Sequence, residues 1–474
     1  MLQNWLILMP EILMLLYLFT AMSVNKYRTE KTPQTFFTLL RWFLLAILLA
    51  TLIFYNKSAY PDFWQNTPFT TLFKSCSYLL LLAWNYLSSK WFLNKNRHSY
   101  KFCSLLIINL LGLNFLASST SLLTLCIASS IICWANRHLI YRHWDITKVA
   151  FVARLYSCSA VFFITAALAA SLWLYYQTGS FTYTQISSYL LSQAQFTLIN
   201  KFCAVALICL LMFLTAATPF HLWFINFIRN GVLPISGFIT LVPWFIYLCS
   251  LINLLRFCLA PMSEFIMPII TAFGIISVLF GAFSAMVEKN IRCLFAYISI
   301  YCIGFNFTGL IDFSYTSVIS SFAYSIVCLL SLGGVYTVFL GLKSHGEYLS
   351  EIEELNGFYE TRPYMSAALL VFVFSLIGAA PTLGFFGYLS ILHNLAVNAG
   401  WWRINLLLIS TLFTSAAIYR VIKSVYFTTN TQKYDRPDKS IYICLFINML
   451  IILISLFFPT WLMHDALVVL GGTN

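Results

Sequence analysis

The chain is 474 residues long, 61% hydrophobic and 18% aromatic, with 9% charged residues and a formal net charge of +12. A soluble domain carries about 25% charged residues, which excludes an ordinary globule, and the wealth of aromatics excludes a disordered chain. The same composition excludes a secreted disulfide scaffold; the 13 cysteines are scattered with no C-x-x-C pair, so zinc and haem-attachment readings lack their spacing, and a polytopic membrane protein remains.

Apolar runs long enough to cross a bilayer, about 20 residues each, follow one another along the chain. They fall at 4–23, 36–55, 71–90, 102–118, 120–136, 148–176, 199–218, 232–257, 263–286, 291–311, 314–342, 364–396, 402–427 and 440–463. This predicts an all-α membrane protein of 14 spans. It is read as a single integral membrane domain over 1–474: N-terminal helices over 1–118, a first repeat over 119–257, a second over 263–427 and a C-terminal helix over 440–474. The first run ends at Lys26 and Arg28 instead of a small-residue cleavage site, so no cleavable leader is expected. High Phe (44) and Tyr (27) against low Gly (19) point to an AT-rich genome such as an organelle's. A mitochondrial inner membrane is therefore expected ahead of a bacterial plasma membrane.

Charge tests the count of spans independently. Between alternate spans lie Lys26, Arg28 and Lys31; Lys90, Lys95, Arg97 and Lys101; Arg137, Arg142 and Lys148; then Arg229. The same face continues with Lys289 and Arg292, Lys343 and Arg362, and Lys433, Arg436 and Lys439. The opposite loops and helix ends hold only Lys57, Lys74, Lys201, Arg256 and Arg403. A miscounted helix would scramble this asymmetry, which puts both termini on the face poor in Lys and Arg. The positive balance thus belongs to loops, and no nucleic-acid partner is expected.

Two prolines interrupt spans. Pro219 and Pro381 each remove a backbone hydrogen bond and clash with the preceding turn, so each should break its helix. Freed backbone at membrane depth survives only when buried in protein or beside a wet cavity. One reading is a kinked packing helix; the other is a pair of discontinuous helices, in spans seven and twelve, at matching places in two inverted repeats.

Four stretches carry a family resemblance. Pro219-Phe-His-Leu-Trp223 with Pro234-Ile-Ser236, and Arg292-Cys-Leu-Phe-Ala-Tyr-Ile-Ser-Ile300 with Gly304, are two of them. The third joins Leu355-Asn-Gly-Phe and Arg362-Pro363 to Phe374-Ser-Leu-Ile-Gly-Ala-Ala-Pro-Thr-Leu-Gly-Phe-Phe-Gly387, and the fourth is Pro10-Glu-Ile12. In this order they resemble the antiporter-like subunits of respiratory complex I, those of subunit 2 type most. The resemblance implies inverted repeats with broken helices 7 and 12. It also implies a midplane string of ionisable residues: a glutamate on the fifth helix and lysines on the seventh, eighth and twelfth. Desolvation draws the pKa of such groups toward neutrality, which suits proton exchange.

The departures from that pattern are concentrated on the string itself. Ungapped alignment puts the glutamate on or beside Ile127 and the lysines at Leu214, Trp244 and Tyr388. None of these ionises near neutral pH. The 15 carboxylates all fall in loops or near helix ends, Glu11 first among them. Two polar residues remain as candidates for a polar axis. Arg154 sits beside the family's sixth-helix lysine but stays charged at any working pH, which suits an electrostatic role or a snorkelling one. His221, at the break, titrates near neutrality but equally serves to bond freed backbone.

The expected function is a membrane-arm subunit of complex I, part of the proton-pumping NADH:ubiquinone oxidoreductase, with a degenerate proton channel and a mainly structural role. The alternative is a free-standing cation/proton antiporter of the related family, which needs an acid in the membrane. No cofactor or metal is expected on this chain. The resemblance implies that FMN, iron-sulfur clusters and ubiquinone belong to other subunits. The expected partners are other membrane-arm subunits, including neighbouring antiporter-like ones, and phospholipids.

Overall fold

A computed structural model of the chain describes residues 7–27, 33–54, 62–94, 99–141, 146–193, 195–310, 314–344, 346–398, 401–429 and 434–455. The basic markers Arg28, Lys31, Lys57, Lys95, Arg97, Arg142 and Lys433 lie outside the described residues, as do both extreme ends of the predicted first and last spans.

Each predicted run is realised as a helix or a pair of half-helices. In chain order these are α1 (Met9–Tyr27), α2 (Pro33–Ile53), α3 (Pro68–Asn94), α4 (Ser99–Ala117), α5 (Leu122–Tyr141) and α6 (Ile146–Thr178). Span seven is α7a (Leu198–Leu214) and α7b (Leu222–Asn230); span eight is α8a (Leu233–Leu241) and α8b (Trp244–Asn253). There follow α9 (Ser263–Val287), α10 (Ile291–Gly309), α11 (Tyr315–Gly341), α12a (Pro363–Ile377), α12b (Leu383–Asn398), α13 (Trp401–Tyr426) and α14 (Lys439–Ile454). The protein is an all-α, multi-pass membrane fold. A short helix, Tyr183–Leu191, and a small hairpin pairing Lys343 with Tyr348 were not foreseen. Span eight, expected as one continuous run over 232–257, is interrupted at Val242 and Pro243, where the proline cannot continue the helix.

The chain divides into two compact units, residues 1–215 with 242–266, and residues 216–241 with 267–474. Within the first, α1 packs on α2 and α4, α3 on α2, α5 on α4 and α6, and α8b on both α3 and α4. Within the second, α11 is the central element, flanked by α8a, α10, α12a, α12b and α14.

Helix starts use side chains to satisfy orphan backbone donors. Asn290 Oδ1 accepts from the N–H groups of Arg292 (3.0 Å) and Cys293 (3.2 Å) to open α10. Thr197 does the same for α7a and Ser314 for α11. Association between membrane helices rests on close packing, since lipid is as apolar as the side chains it would replace. Gly304 shows this within the second unit: a Cβ there would lie 2.6 Å from the Gly274 carbonyl oxygen.

Candidate functional site

The two proline breaks are built alike. α7a ends at Leu214 and Ala216 takes a left-handed conformation, φ +59°, three residues before Pro219. α12a ends at Ile377 and Gly378 takes the same region, φ +75°, three residues before Pro381. Both prolines follow cis bonds. Left-handed residues commonly end helices, usually glycine because it has no Cβ to clash. The backbone freed at the breaks finds partners: Thr218 N–H donates to Ser277 Oγ at 2.9 Å, and Ala379 N–H to the Phe374 carbonyl at 3.0 Å. α12b then begins so close to α12a that a Cβ on Gly384 would fall 1.8 Å from the Ser375 carbonyl oxygen.

His221 stands at the start of α7b and is 6% exposed. Its ring lies 4.5 Å from that of Phe280, and its Nδ1 has no hydrogen-bond partner among the described residues. Leu214 is the buried last residue of α7a, and Trp244 the buried first residue of α8b. Tyr388, on α12b, is buried and stacks on Phe305 at 4.4 Å. Ile127 is different. It is 51% exposed on α5 while its neighbours Cys126 and Ala128 are buried, so the inward face there belongs to the neighbours. Arg154 is also on an outward face, where its Nε donates to the Ala150 carbonyl at 3.2 Å.

Around Tyr388 the second unit buries polarity without charge. Phe305 is flanked by the rings of Tyr301 and Tyr324 as well as Tyr388. Next to it in sequence, Asn306 Oδ1 accepts from Ser325 Oγ at 3.1 Å, and its carbonyl accepts from Ser321 Oγ at 3.3 Å. Ser331 Oγ donates to Ser375 Oγ at 2.8 Å. Among the described residues this core is made of hydroxyls and amides.

A second polar cluster lies wholly within the first unit, and the sequence pattern did not find it. Lys74, read as a helix-end residue of the Lys- and Arg-poor face, is 1% exposed; Glu11, near the start of α1, is 4% exposed. Lys74 Nζ donates to Asn66 Oδ1 at 2.7 Å, and Ser118 Oγ donates to the same atom at 3.0 Å. Asn114 Nδ2 donates to Glu11 Oε1 at 2.5 Å, and Tyr78 Oη donates to Asn114 Oδ1 at 2.9 Å. Lys74 Nζ also lies 5.1 Å from the Trp64 ring centroid, a cation–π distance. With His221 these are the acids and bases that the described residues bury most fully. The signal available in the sequence was the run of polar residues Asn66, Lys74, Asn109 and Asn114 inside or beside apolar spans.

A family model described as NADH:quinone oxidoreductase/Mrp antiporter, TM matches residues 119–414. NADH-quinone oxidoreductase subunit N of Hirschia baltica is 24% identical over 387 residues, covering 80% of this chain and 79% of the relative. The subunit N of Bartonella bacilliformis is 26% identical over 483 aligned positions, covering 97% of this chain and 96% of the relative. A chain of respiratory complex I from Thermus thermophilus has the same fold, with a TM-score of 0.80 over 96% of this chain and 99% of that one at 18% identity.

Proposed function

The chain belongs to the NADH:quinone oxidoreductase/Mrp antiporter transmembrane family, and on that premise we propose that it is an antiporter-like subunit of the membrane arm of respiratory complex I, of subunit 2 type. The near full-length match to a subunit N supports this placement, as does the order of the four motifs along the chain. FMN, iron-sulfur clusters and ubiquinone are then the business of other subunits. Outward apolar side chains such as Phe19, Trp42, Tyr176 and Phe202 offer faces for neighbouring antiporter-like subunits and phospholipids. The compositional bias favours a mitochondrial inner membrane, although the relatives named above are bacterial.

The proton path of the family is degenerate here, and the role is mainly structural. The observation that carries this is at the breaks: Leu214, Trp244 and Tyr388 stand where the resemblance places lysines, and all three are buried and uncharged. An antiporter-type half-channel moves a proton by changing the charge of a desolvated group as its neighbours change theirs. Leucine and tryptophan cannot do this, and a tyrosine buried against Phe305 has no charge to give near neutral pH.

Two measurements test the proposal. A tagged chain should co-purify with a large NADH-oxidising assembly; migration alone, with cation/proton exchange in vesicles, would favour the free-standing antiporter. In the assembly, Tyr388→Phe and Leu214→Met should leave the number of protons pumped per electron unchanged. A lower ratio in either variant would overturn the degenerate-channel reading while leaving the placement intact.

A further inference from the structure

We propose that Glu11 and Lys74 form a proton-binding site inside the first unit, loaded from one membrane face through a cavity that ends one helical turn above the pair. The site goes beyond the reading above: Glu11 lies in one of the motif stretches, but none of the midplane positions that the resemblance implies contributes to it.

A cavity of about 170 Å³ is walled by Thr70, Ser118 and Asn253, and its mouth is lined by the exposed Asp62 and Thr184. At about 30 Å³ per water, that volume takes about six molecules. Three helical segments descend from it in the same way, because residues four apart share a helix face. On α3, Thr70 is at the wall and Lys74 is one turn deeper. Where α4 ends, Ser118 is at the wall and Asn114 is one turn deeper, holding Glu11. On α8b, Asn253 is at the wall and Cys249 is one turn deeper, its Sγ 3.8 Å from Asn253 Nδ2. Asn66 ties two of these segments together by accepting from both Lys74 and Ser118.

The two charges are held through different amides, Glu11 by Asn114 and Lys74 by Asn66, and Glu11 is bonded unevenly. Glu11 Oε1 accepts from Asn114, but Oε2 is buried and has no partner among the described residues. A carboxylate oxygen without a donor in an apolar interior is costly, and a proton on Oε2 removes that cost by neutralising the carboxylate. In the loading step an O–H bond of a hydronium ion in the cavity breaks, a water molecule that enters the one turn between the cavity and the pair carries the proton, an O–H bond forms on Glu11 Oε2, and water is left behind. The pair passes from zero net charge to +1. The titratable groups facing it are Tyr78 and Cys249, both neutral while they stay protonated. Past Tyr78 and Asn114 the next turns present the buried Leu81 and Leu110, so the site loads and unloads at one face and is no channel. That face is the one poor in Lys and Arg.

Infrared difference spectra of the purified assembly, taken between acidic and alkaline buffer in H₂O and in D₂O, test the site. The expected result is a deuterium-sensitive carboxylic-acid band that grows on acidification, disappears in Glu11→Gln and shifts in Glu11→Asp. Thr184→Trp, which plugs the mouth and leaves the pair untouched, should slow deuterium exchange of that band at least tenfold. A band unchanged in Glu11→Gln overturns the proposal. If that variant fails to assemble, an unshifted band in Glu11→Asp overturns it instead. Unaltered exchange in Thr184→Trp overturns the route through the cavity.

Discussion

The first unit buries a carboxylate and an ammonium, Glu11 and Lys74; the second carries both proline breaks and fills its interior with hydroxyls around Tyr388 and Asn306. The difference lies in how each satisfies polarity in an apolar surround. A buried charge costs several kcal/mol unless an opposite charge and hydrogen bonds accompany it, so Glu11 and Lys74 draw in Asn66, Asn114, Tyr78 and Ser118. A serine on a helix needs far less. Ser299, Ser320 and Ser410 each donate to a carbonyl three or four residues earlier, on their own helices. The first unit therefore holds a set of groups that stand or fall together. In the second, each group is largely self-sufficient.

The largest expected effect follows from that interdependence. Lys74→Met leaves the Glu11 carboxylate buried without its counter-charge and should cost about 3–5 kcal/mol, as removal of one partner of a buried pair does. Combining it with Glu11→Gln should restore much of the loss. Thermal unfolding of the purified assembly reads both, and a double variant as unstable as the sum of the singles would show that the two charges are independent.

The second unit is more sensitive to shape than to charge. Gly384→Ala must push α12b away from the Ser375 carbonyl, because the added carbon would lie 1.8 Å from that oxygen. Overpacking of this kind costs about 3 kcal/mol, seen as a lower unfolding temperature. Gly333→Ala on α11 is the control, since nothing lies within 4 Å of its Cβ; it should be neutral or stabilise by less than about 1 kcal/mol. Ser325→Ala comes next. It removes one donor to Asn306 Oδ1 and should cost about 1 kcal/mol, a fraction of the loss at Lys74. Equal losses at Ser325 and Lys74 would erase the contrast between the two units.

Hydropathy and charge made much of this fold legible. Each of the 14 runs became a helix or a pair of half-helices, because a bilayer leaves a span few other options. Pro219 and Pro381 marked their breaks for a local steric reason. Direction was harder to read. Ile127 sits on a helix whose small hydroxyls, Ser129 and Ser130, fall on both its buried and its more open faces, so polarity alone does not say that it faces out. Lys74 lies close to a polar loop, where a lysine is ordinarily solvated, and its burial depends on α1, α4 and α8b arriving from distant parts of the chain. The interruption at Val242 and Pro243 carried the same proline signal, but the run around it is apolar throughout and was read as one continuous span.

The two breaks offer the finest test, because they differ at one atom. Gly378 and Ala216 occupy the same left-handed region three residues before a proline, and for an L-residue this conformation costs about 1–2 kcal/mol. Gly378→Ala should therefore destabilise by about 1–2 kcal/mol, with the new Cβ also pressed to 3.1 Å from Tyr388 Cβ. Ala216→Gly should act the other way but more weakly. Relief at φ +59° is partly offset by the greater freedom of glycine in the unfolded chain, leaving a gain below about 1 kcal/mol. Unfolding temperatures of the two variants in the same assembly decide it. Opposite signs would mean that both breaks rely on one backbone device, with the first held in place by its surroundings against its own residue's preference. A loss in both would mean that the Ala216 methyl packs against neighbours closely enough to outweigh the backbone, and that the likeness of the two breaks stops at their dihedral angles.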